Sequence, residues 1–415
     1  NLAIYNPGTS PVTVRAVAFS GGGDGREAPV AEGLRLEPGE WRQLDRVLEK
    51  AGMAQGWAVV ERTDGGVFGA YGVVNDGGTN DGSFLEAVAE SAPSAALTVP
   101  AVVETPQFRT ELVLANRAAA PVLLTIDYRE SFAAGVGAGG QVPLTLGARE
   151  QRIVPDAVAW LRSLGIGIGP VGAASYAGRL RVTGPAGSSG LHASARISAA
   201  SPGGGAYGVF LPGVAGGAET ATEAWVTGLR SDATTRSNLA VVHAGAPGSG
   251  PLTLEVRFYD GAASGRIAGA PSNLTLAEGE WLQLPDPLRP LGVSTGWARL
   301  ARVGGSAPWL AYGVVNDGAG PNLRTGDGAF LPALAGGSVP AARVAPGDLA
   351  YLGAFRLPTG GERPLTYEYG GNAMTFRPGG DPGGGADGFP GSLFVSGHDR
   401  MPYGELPDGS RVAEI

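Results

Sequence analysis

The stretch GAYGVVNDG (69–77) has a near copy, LAYGVVNDG (310–318), about 240 positions further along the chain. The segment before it is duplicated too, since LRLEPGEWRQL (34–44) matches NLTLAEGEWLQL (273–284). A third segment lies between these two in each copy, GWAVVER (56–62) in the first and GWARLAR (296–302) in the second. Internal copies at a constant separation are the sequence signature of repeated structural units. We therefore expect a chain of tandem domains.

Composition favours a globular chain made of short strands. Of 415 residues, 43% are hydrophobic, and the 71 glycines and 32 prolines lie mostly between apolar runs. This pattern is typical of many strands joined by turns. The net charge is −8 and the basic residues are scattered, with Lys50 the single lysine. A chain without a basic patch is not expected to bind nucleic acid or an anionic membrane surface.

The scarcity of reactive side chains narrows the chemistry. No cysteine is present, which excludes disulfides, thiol catalysis and cysteine-bound zinc. The three histidines are far apart in the sequence, so a histidine-rich metal site within one domain is not expected. The longest weakly polar stretch, residues 164–177, is too short to span a bilayer as a helix.

Alternating apolar residues predict one strand at the same place in each of three units. Such a period of two is typical of a strand with one buried face. The alternating sets are Val12, Val14, Ala16 and Ala18; then Val122, Leu124, Ile126 and Tyr128; then Leu252, Leu254, Val256 and Phe258. Only two short helices are expected, over residues 45–52 and 156–167.

These patterns predict an all-β protein of three tandem β-sandwich repeats, each of about 120 residues. We assign repeat 1 to residues 1–95, repeat 2 to 96–221 and repeat 3 to 222–337. About seven short strands per unit, with turns every 8–12 residues, describe a sandwich of immunoglobulin-like size.

Repeat 1 lacks the opening strand of the other two repeats. Repeat 2 opens with ALTVPAVVET (96–105) and repeat 3 with EAWVTGLR (223–230), whereas repeat 1 begins at the next strand, NLAIYN (1–6). We expect an open sheet edge in repeat 1, with unpaired backbone groups. Such an edge could accept a strand from another subunit, which would allow self-assembly.

The pattern changes after residue 337. A proline-bearing linker over 338–348 is followed by a region, 349–415, that resembles the opening blade of a β-propeller. Its four expected strands lie within residues 349–358, 370–380, 391–399 and 411–415. A single blade cannot close a ring, so we expect the chain to be a fragment of a larger protein.

The repeats resemble the tandem immunoglobulin-like sandwich repeats of large secreted bacterial surface and extracellular proteins. The residues that carry the resemblance are NLAIYNPG (1–8), GEWRQL (39–44), GWAVV (56–60) and YGVVNDG (71–77), with their counterparts in repeat 3. The resemblance implies an extracellular or cell-surface location and a role as spacer, adhesive stalk or accessory domain. It carries over no catalytic residue, because the shared positions are core and turn positions.

Two tryptophan pairs have two interpretations. Either pair, Trp41 with Trp281 or Trp57 with Trp297, could form a platform on which a sugar ring stacks, with Trp41 and Trp281 as the candidate contacts of a polysaccharide partner. The alternative is that they fill the sandwich core, as large aromatic residues commonly do. The core interpretation is favoured because Trp57 and Trp297 begin strands in the same frame and Trp41 has no equivalent in repeat 2.

Oxygen-rich loops follow the duplicated stretch and could bind calcium. Calcium prefers several carboxylate and amide oxygens on a flexible loop. However, Asn, Asp and Gly are also the usual residues of turns with left-handed backbone, and this explanation is favoured. The candidate ligands are Asn75, Asp76, Asn80 and Asp81 in repeat 1, and Asn316 and Asp317 in repeat 3, followed there by Asn322 and Asp327.

His398 is the single histidine beside a carboxylate, that of Asp399. Adjacent residues of a strand point to opposite faces, so a catalytic dyad is not expected and a structural role is favoured. The glycine-rich stretch 381–388 lacks the lysine of a phosphate-binding loop. No catalytic residue is therefore assigned, and no cofactor is expected, with calcium as the alternative.

The sequence leads to one favoured functional hypothesis and two alternatives. The favoured hypothesis is a non-enzymatic extracellular stalk, spacer or adhesive segment of a larger secreted bacterial protein, in contact with polysaccharide or another cell-surface protein. The first alternative is a set of accessory domains of a secreted enzyme whose active site lies in a C-terminal propeller. The second is a filament subunit completed by strand donation.

Overall fold

The structure is a computed structural model that describes residues 1–89, 95–132, 138–172, 174–220, 222–262, 265–317, 325–335, 374–377, 380, 391–396 and 412–414. The chain forms two compact units, residues 1–337 and 338–415. The predicted all-β class is confirmed, because almost every described element is a strand in an antiparallel sheet.

Repeat 1 is built from two facing antiparallel sheets. One has the strand order β4-β1-β6-β7 and the other β3-β2-β5. The strands are β1 (Leu2–Tyr5), β2 (Val12–Ser20), β3 (Glu27–Leu36), β4 (Trp41–Leu44), β5 (Gly56–Gly65), β6 (Gly69–Asn75) and β7 (Gly82–Glu86). Leu2 and Ile4 of the first sheet pack against Val12, Val14 and Ala16 of the second.

Repeat 2 has the same plan with additional strands. Its sheets have the orders β11-β10-β13-β8-β16 and β12-β9-β14-β15. The strands are β8 (Ala96–Glu104), β9 (Phe108–Asn116), β10 (Val122–Glu130), β11 (Ala138–Leu146), β12 (Gln151–Val154), β13 (Tyr176–Thr183), β14 (Leu191–Ala200), β15 (Ala206–Pro212) and β16 (Val214–Ala215).

Repeat 3 differs from a sandwich of two separate sheets. Its strands form one nearly closed sheet in the order β20-β19-β22-β17-β24-β23-β18-β21. The last strand joins the two halves, because β24 pairs first with β23 and then with β17. The strands are β17 (Glu223–Arg230), β18 (Thr235–His243), β19 (Leu252–Asp260), β20 (Ile267–Leu276), β21 (Trp281–Pro285), β22 (Thr295–Gly304), β23 (Trp309–Asp317) and β24 (Gly328–Ala335).

The alternating sets identified in the sequence form β2, β10 and β19, and their apolar members face the cores. Val12, Val14, Ala16 and Ala18 are completely buried, as are Leu252 and Leu254. Polar residues between them face outward, because successive side chains of a strand point to opposite faces.

Both predicted helices are present and shorter than expected. Helix α1 (Val47–Lys50) is a single turn, and it is followed by Gly52 in the left-handed region with φ 65°. Helix α2 (Ala157–Ser163) begins after Asp156, whose carboxylate accepts a hydrogen bond from the amide of Ala159 at 3.0 Å. This N-cap satisfies an amide that has no partner within the helix.

The edge of repeat 1 is open in the described part of the chain. In repeat 2, β8 lies between β13 and β16, and in repeat 3, β17 lies between β22 and β24. Among the described strands, β5 pairs only with β2 and β7 only with β6. The corresponding strand position in repeat 1 is therefore unfilled by described residues.

The second unit contains a three-stranded antiparallel sheet, β25 (Met374–Arg377), β26 (Ser392–Ser396) and β27 (Val412–Glu414), in that order. These strands lie within three of the four stretches expected from the sequence. The linker 338–348, the stretch 349–358, and His398 with Asp399 lie outside the described residues. Within the described residues, every helix is too short or too polar to cross a bilayer.

Candidate functional site

The outer side of the β4-β1-β6-β7 sheet carries a group of exposed aromatic side chains. Leu2 and Ile4 of β1 point into the core, so Ala3 and Tyr5 face away from it. Trp41 of β4 is in register with Tyr5, and Tyr71 of β6 is in register with Ala3, so these side chains lie on the same outer side. Tyr5 is 39% exposed, Trp41 50% and Phe84 55%. We call Tyr5, Trp41, Tyr71 and Phe84 the repeat 1 aromatic face.

The members of this face hold one another in position. The indole nitrogen of Trp41 donates a hydrogen bond to the hydroxyl of Tyr71 at 3.1 Å. The rings of Tyr71 and Phe84 lie 5.0 Å apart with an interplanar angle of 33°. Aromatic rings at this separation attract each other beyond their burial. The face is therefore an ordered surface on which a partner could stack.

Repeat 3 has the same three aromatic residues in the same arrangement, but they are covered. The indole nitrogen of Trp281 donates to the hydroxyl of Tyr312 at 2.9 Å, and the rings of Tyr312 and Phe330 lie 5.6 Å apart. Trp281 is 6% and Tyr312 3% exposed, because both belong to the apolar cluster that contains the core of repeat 2. Burial raises the pKa of Tyr312 above its usual value. Of the two candidate sugar-binding residues, only Trp41 has a ring face open to solvent.

The sandwich-core interpretation does not hold for the other tryptophan pair. Trp57 stacks on Phe19 at 5.8 Å, and Trp297 stacks on Tyr259 at 5.6 Å, both on the outer side of their sheets. The next residue in each strand, Ala58 or Ala298, is the one that faces the core. The tryptophan of the repeat 3 core is Trp309, which is completely buried.

The candidate calcium ligands of repeat 1 take part in turn and junction contacts. The Asp76 carboxylate accepts hydrogen bonds at 2.9 Å from the amides of Gly78 and Thr79, and these amides lower the pKa of Asp76 to about 2. Asn80 adopts a left-handed backbone with φ 61°, and Asn75 ends β6 opposite Gly82. Such contacts are typical of a tight turn that an aspartate stabilises.

Asp81 connects repeat 1 to repeat 2. Its carboxylate accepts from the guanidinium of Arg196 and from the amide of Gly208, each at 2.9 Å. Arg196 also donates to the hydroxyl of Ser83 at 3.0 Å. The side chains of Asp81 and Arg196 are 9% and 18% exposed. This ion pair is therefore largely removed from solvent.

The repeat 3 loop uses its carboxylate in the same way. Asp317 accepts from the amide and the hydroxyl of Thr325 at 2.9 and 2.6 Å, and the Asn316 amide donates to the Val314 carbonyl at 3.2 Å. Burial and the nearby charge of Asp81 raise the pKa of Asp327. Where the chain is described, no three His, Asp or Glu side chains are arranged to hold a metal ion. Calcium binding stays a prediction.

The two described histidines have structural contacts. The ring of His243 is completely buried and contacts the Gly250 carbonyl at 2.8 Å. His192 lies beside the Ser194 hydroxyl at 3.2 Å, and burial, together with the charge of Arg117, lowers its pKa to about 4. Neither arrangement pairs the ring with a carboxylate, which a catalytic base commonly uses for orientation.

Sequence reasoning missed the aromatic partners of the tryptophans. Tyr71 and Tyr312 are part of the duplicated YGVVND motif, and Phe84 and Phe330 occur in the equivalent segments GSFL (82–85) and GAFL (328–331). Their identity in both copies was the signal that could have identified the face.

Neither protein-family models nor curated protein sequences give a match to this chain.

Proposed function

We propose that the chain is a non-enzymatic structural segment of a larger secreted bacterial protein, in which residues 1–337 act as a rigid stalk or spacer. The observation that carries this proposal is that neighbouring repeats are joined by direct contacts in addition to their connecting segments. Domains without an extensive interface usually move relative to each other. A spacer has to resist such motion.

The junction between repeats 1 and 2 combines an ion pair with backbone contacts. Besides Asp81 and Arg196, the hydroxyl of Thr79 donates to the carbonyl of Ala206 at 2.9 Å. The amide of Gln151 donates to the carbonyl of Gly21 at 2.8 Å. These contacts lie at separate places, so together they resist both bending and rotation.

The junction between repeats 2 and 3 is more apolar. Trp281, Leu310 and Tyr312 of repeat 3 pack in one continuous cluster with the repeat 2 core. Arg181 donates to the carbonyl of Ala244 at 2.6 Å. A shared apolar cluster favours cooperative unfolding of the two repeats as one unit.

The extracellular setting and the bacterial origin rest on the resemblance of the repeats alone. An adhesive role, with polysaccharide or another cell-surface protein as the partner, belongs to the same proposal.

A distance measurement tests rigidity. The chain has no cysteine, so Asp64→Cys and Val303→Cys, both at exposed positions of repeats 1 and 3, provide two unique labelling sites. We expect a single narrow distance distribution by electron-spin resonance. The same labels in an Arg196→Ala background should give a broader one. A broad distribution in the unaltered background would count against a rigid spacer, and hydrolase or lyase activity of residues 1–337 would contradict a non-enzymatic role.

An alternative is that these repeats are accessory domains of a secreted enzyme with a propeller active site. It is supported by the antiparallel three-stranded sheet β25-β26-β27 of the second unit. A propeller contains about four to eight blades, each a four-stranded antiparallel sheet. The alternative predicts further blade sequences after Ile415 in the gene, and a stop codon there would exclude it.

A second candidate function is assembly by strand addition, favoured by the unpaired edges of β5 and β7 in the described chain. An added strand would bond to the free amides and carbonyls, as in other sheet-extension complexes. A synthetic peptide of residues 96–104, which form the equivalent strand of repeat 2, should bind and raise the melting temperature. Equal binding by a scrambled peptide would exclude specific strand addition.

A further inference from the structure

The two junctions inside the chain are copies of each other. The amide of Gln151, the first residue of β12, donates to Gly21, which follows β2. The amide of Trp281, the first residue of β21, donates to the Ser131 hydroxyl at 2.9 Å, and Ser131 follows β10. Strands β12 and β21 occupy the same place in their repeats, and so do β2 and β10. At both junctions the first residue of the former contacts the residue that follows the latter in the preceding repeat.

The turn that precedes the docking strand also contacts the preceding repeat at both junctions. Arg149 and Gly279 each lie two positions before the strand start and have φ angles of 52° and 77°. The Arg149 guanidinium lies 5.5 Å from the centre of the Phe19 ring. Gly279 lies so close to Arg129 that a Cβ atom would be 2.8 Å from its Cγ. Phe19 and Arg129 occupy the same place, the second-to-last residue of β2 and β10.

Repeat 1 has its own copy of the docking part, which consists of the turn residue and the first residue of the strand after it. Among the described residues, no preceding repeat contacts this copy. Its strand start is Trp41 and its turn residue is Gly39, with φ 75°. A Cβ atom at Gly39 would have no described atom within 4 Å, and half of Trp41 is exposed. The hydrogen bond from Trp41 to Tyr71 matches the bond from Trp281 to Tyr312 in the covered copy.

Repeat 3 has a second copy of the receiving part, and among the described residues no start of an equivalent strand lies on it. Tyr259 is the second-to-last residue of β19, and Gly261 follows that strand. Tyr259 lies between the rings of Trp225 and Trp297, at 5.7 and 5.6 Å, and is 7% exposed, so the two partly exposed tryptophan rings form the outer surface here. Ile267, in register with Tyr259, is 46% exposed on the same side of the sheet. This surface is aromatic, as is the repeat 1 aromatic face, and charged residues border it, because the Arg299 guanidinium lies 5.9 Å from the centre of the Trp225 ring and pairs with Glu223.

We propose that the repeat 1 aromatic face of one molecule docks on the Trp225–Tyr259–Trp297 surface of a second copy of this chain. The inter-chain contact reproduces the internal junction a third time, with the turn at Gly39 on the tryptophan rings beside Tyr259 and the start of β4 on Gly261. Because the two surfaces differ, the contact is head-to-tail, and further copies can add in the same direction.

The internal junction also favours a protein over a sugar as the partner of the repeat 1 aromatic face. The identical arrangement of Trp281, Tyr312 and Phe330 is used within this chain to pack against a neighbouring repeat. The docking part lies on repeat 1 and the receiving part on repeat 3, so two copies of this chain supply both surfaces without a further partner.

The test is sedimentation velocity of the full chain over a wide concentration range, with one variant for each surface. Trp41→Ala removes the docking ring, and Ile267→Glu places a charge on the receiving surface without altering a buried residue. We expect the unaltered chain to form oligomers that grow with concentration and each variant alone to lose them. Phe84→Glu and Trp297→Ala serve as second variants for the two surfaces, and melting curves establish that all are folded.

Mixing supplies the decisive result. Trp41→Ala retains the receiving surface and Ile267→Glu retains the docking face, so an equimolar mixture should form a one-to-one dimer and nothing larger. Leu123→Ala, at a position 60% exposed on repeat 2, should assemble like the unaltered chain. A monomeric unaltered chain, oligomers that persist in both variants, or no dimer in the mixture would each overturn the proposal. Polysaccharide binding that is lost in Trp41→Ala, without assembly, would also overturn it.

Discussion

The carboxylate of Asp81 and the guanidinium of Arg196 are 115 positions apart in sequence and 2.9 Å apart in space. Because both side chains are largely buried, the pair cannot be replaced by water without cost. Asp81→Ala should lower the free energy of unfolding by about 1–3 kcal/mol, the usual cost of a buried group left without its partner.

A double-mutant cycle in urea separates the pair from the rest of the junction. Asp81→Ala, Arg196→Ala and the double variant should show a coupling energy of about 0.5–3 kcal/mol. Asp64→Ala, at an exposed position of β5, is the matched control and should be close to neutral. Additive effects would show that the contact contributes nothing.

Asp127 is the counter-charge of a buried arginine cluster at the second junction. It accepts from Arg179 at 3.3 Å and pairs with Arg129 at 3.1 Å, and Arg179 is 1% exposed. Burial lowers the pKa of Arg179, and the charge of Asp127 opposes this effect. Asp127→Asn should destabilise the chain by about 3–5 kcal/mol, because it leaves a buried charge uncompensated. Glu61→Gln, exposed on repeat 1, serves as the control in the same denaturant titration.

A matched glycine pair measures the packing at this junction. Gly39 and Gly279 have nearly the same φ, so alanine at either position adds backbone strain of about 1–2 kcal/mol. Only at Gly279 would the new Cβ also contact Arg129 and Arg179. Gly279→Ala should therefore lower the melting temperature more than Gly39→Ala does. Equal effects would indicate that the turn at Gly279 does not press on repeat 2.

Stability should fall as the pH is lowered, in two steps with different origins. His192 has a pKa of about 4 in the folded chain against 6.5 in the unfolded chain. Between these values only the unfolded chain gains the proton, so stability decreases as the pH falls from 6.5 to 4. Asp76 has a pKa of about 2 against 3.8, so its contribution is lost between pH 3.8 and 2. Chemical denaturation of His192→Gln should show a weaker dependence in the first range and the same dependence in the second.

The sequence predicted the inward faces of β2, β10 and β19 well. The alternation in β2, β10 and β19 correctly indicates the core residues, and Asp156 correctly indicates the start of α2. The outer faces were not predictable in the same way. Trp41 and Trp281 occupy equivalent positions, and each donates a hydrogen bond to the equivalent tyrosine of its own repeat. Trp281 is buried because repeat 2 covers it, whereas Trp41 is exposed.

The closing of repeat 3 into one sheet also depends on a local detail. In repeat 2 the equivalent strand is interrupted at Gly213, whose amide bonds to the Ala193 carbonyl at 3.0 Å, whereas β24 continues without interruption. Both segments are short and apolar, so their composition does not distinguish the two arrangements. Likewise, Asp81 and Arg196 lie in different repeats, and no sequence motif links the two residues.

The left-handed turn residue before β4, β12 and β21 has a consequence for how such a protein can change in length. At both internal junctions a main-chain amide is the donor, and the turn accepts either glycine or arginine at its left-handed position. A duplicated gene segment would therefore bring its own connector, with little need for compensating substitutions in the module it joins. Evolution can lengthen or shorten such an array one module at a time, and protein engineers can use the same rule to build arrays of chosen length.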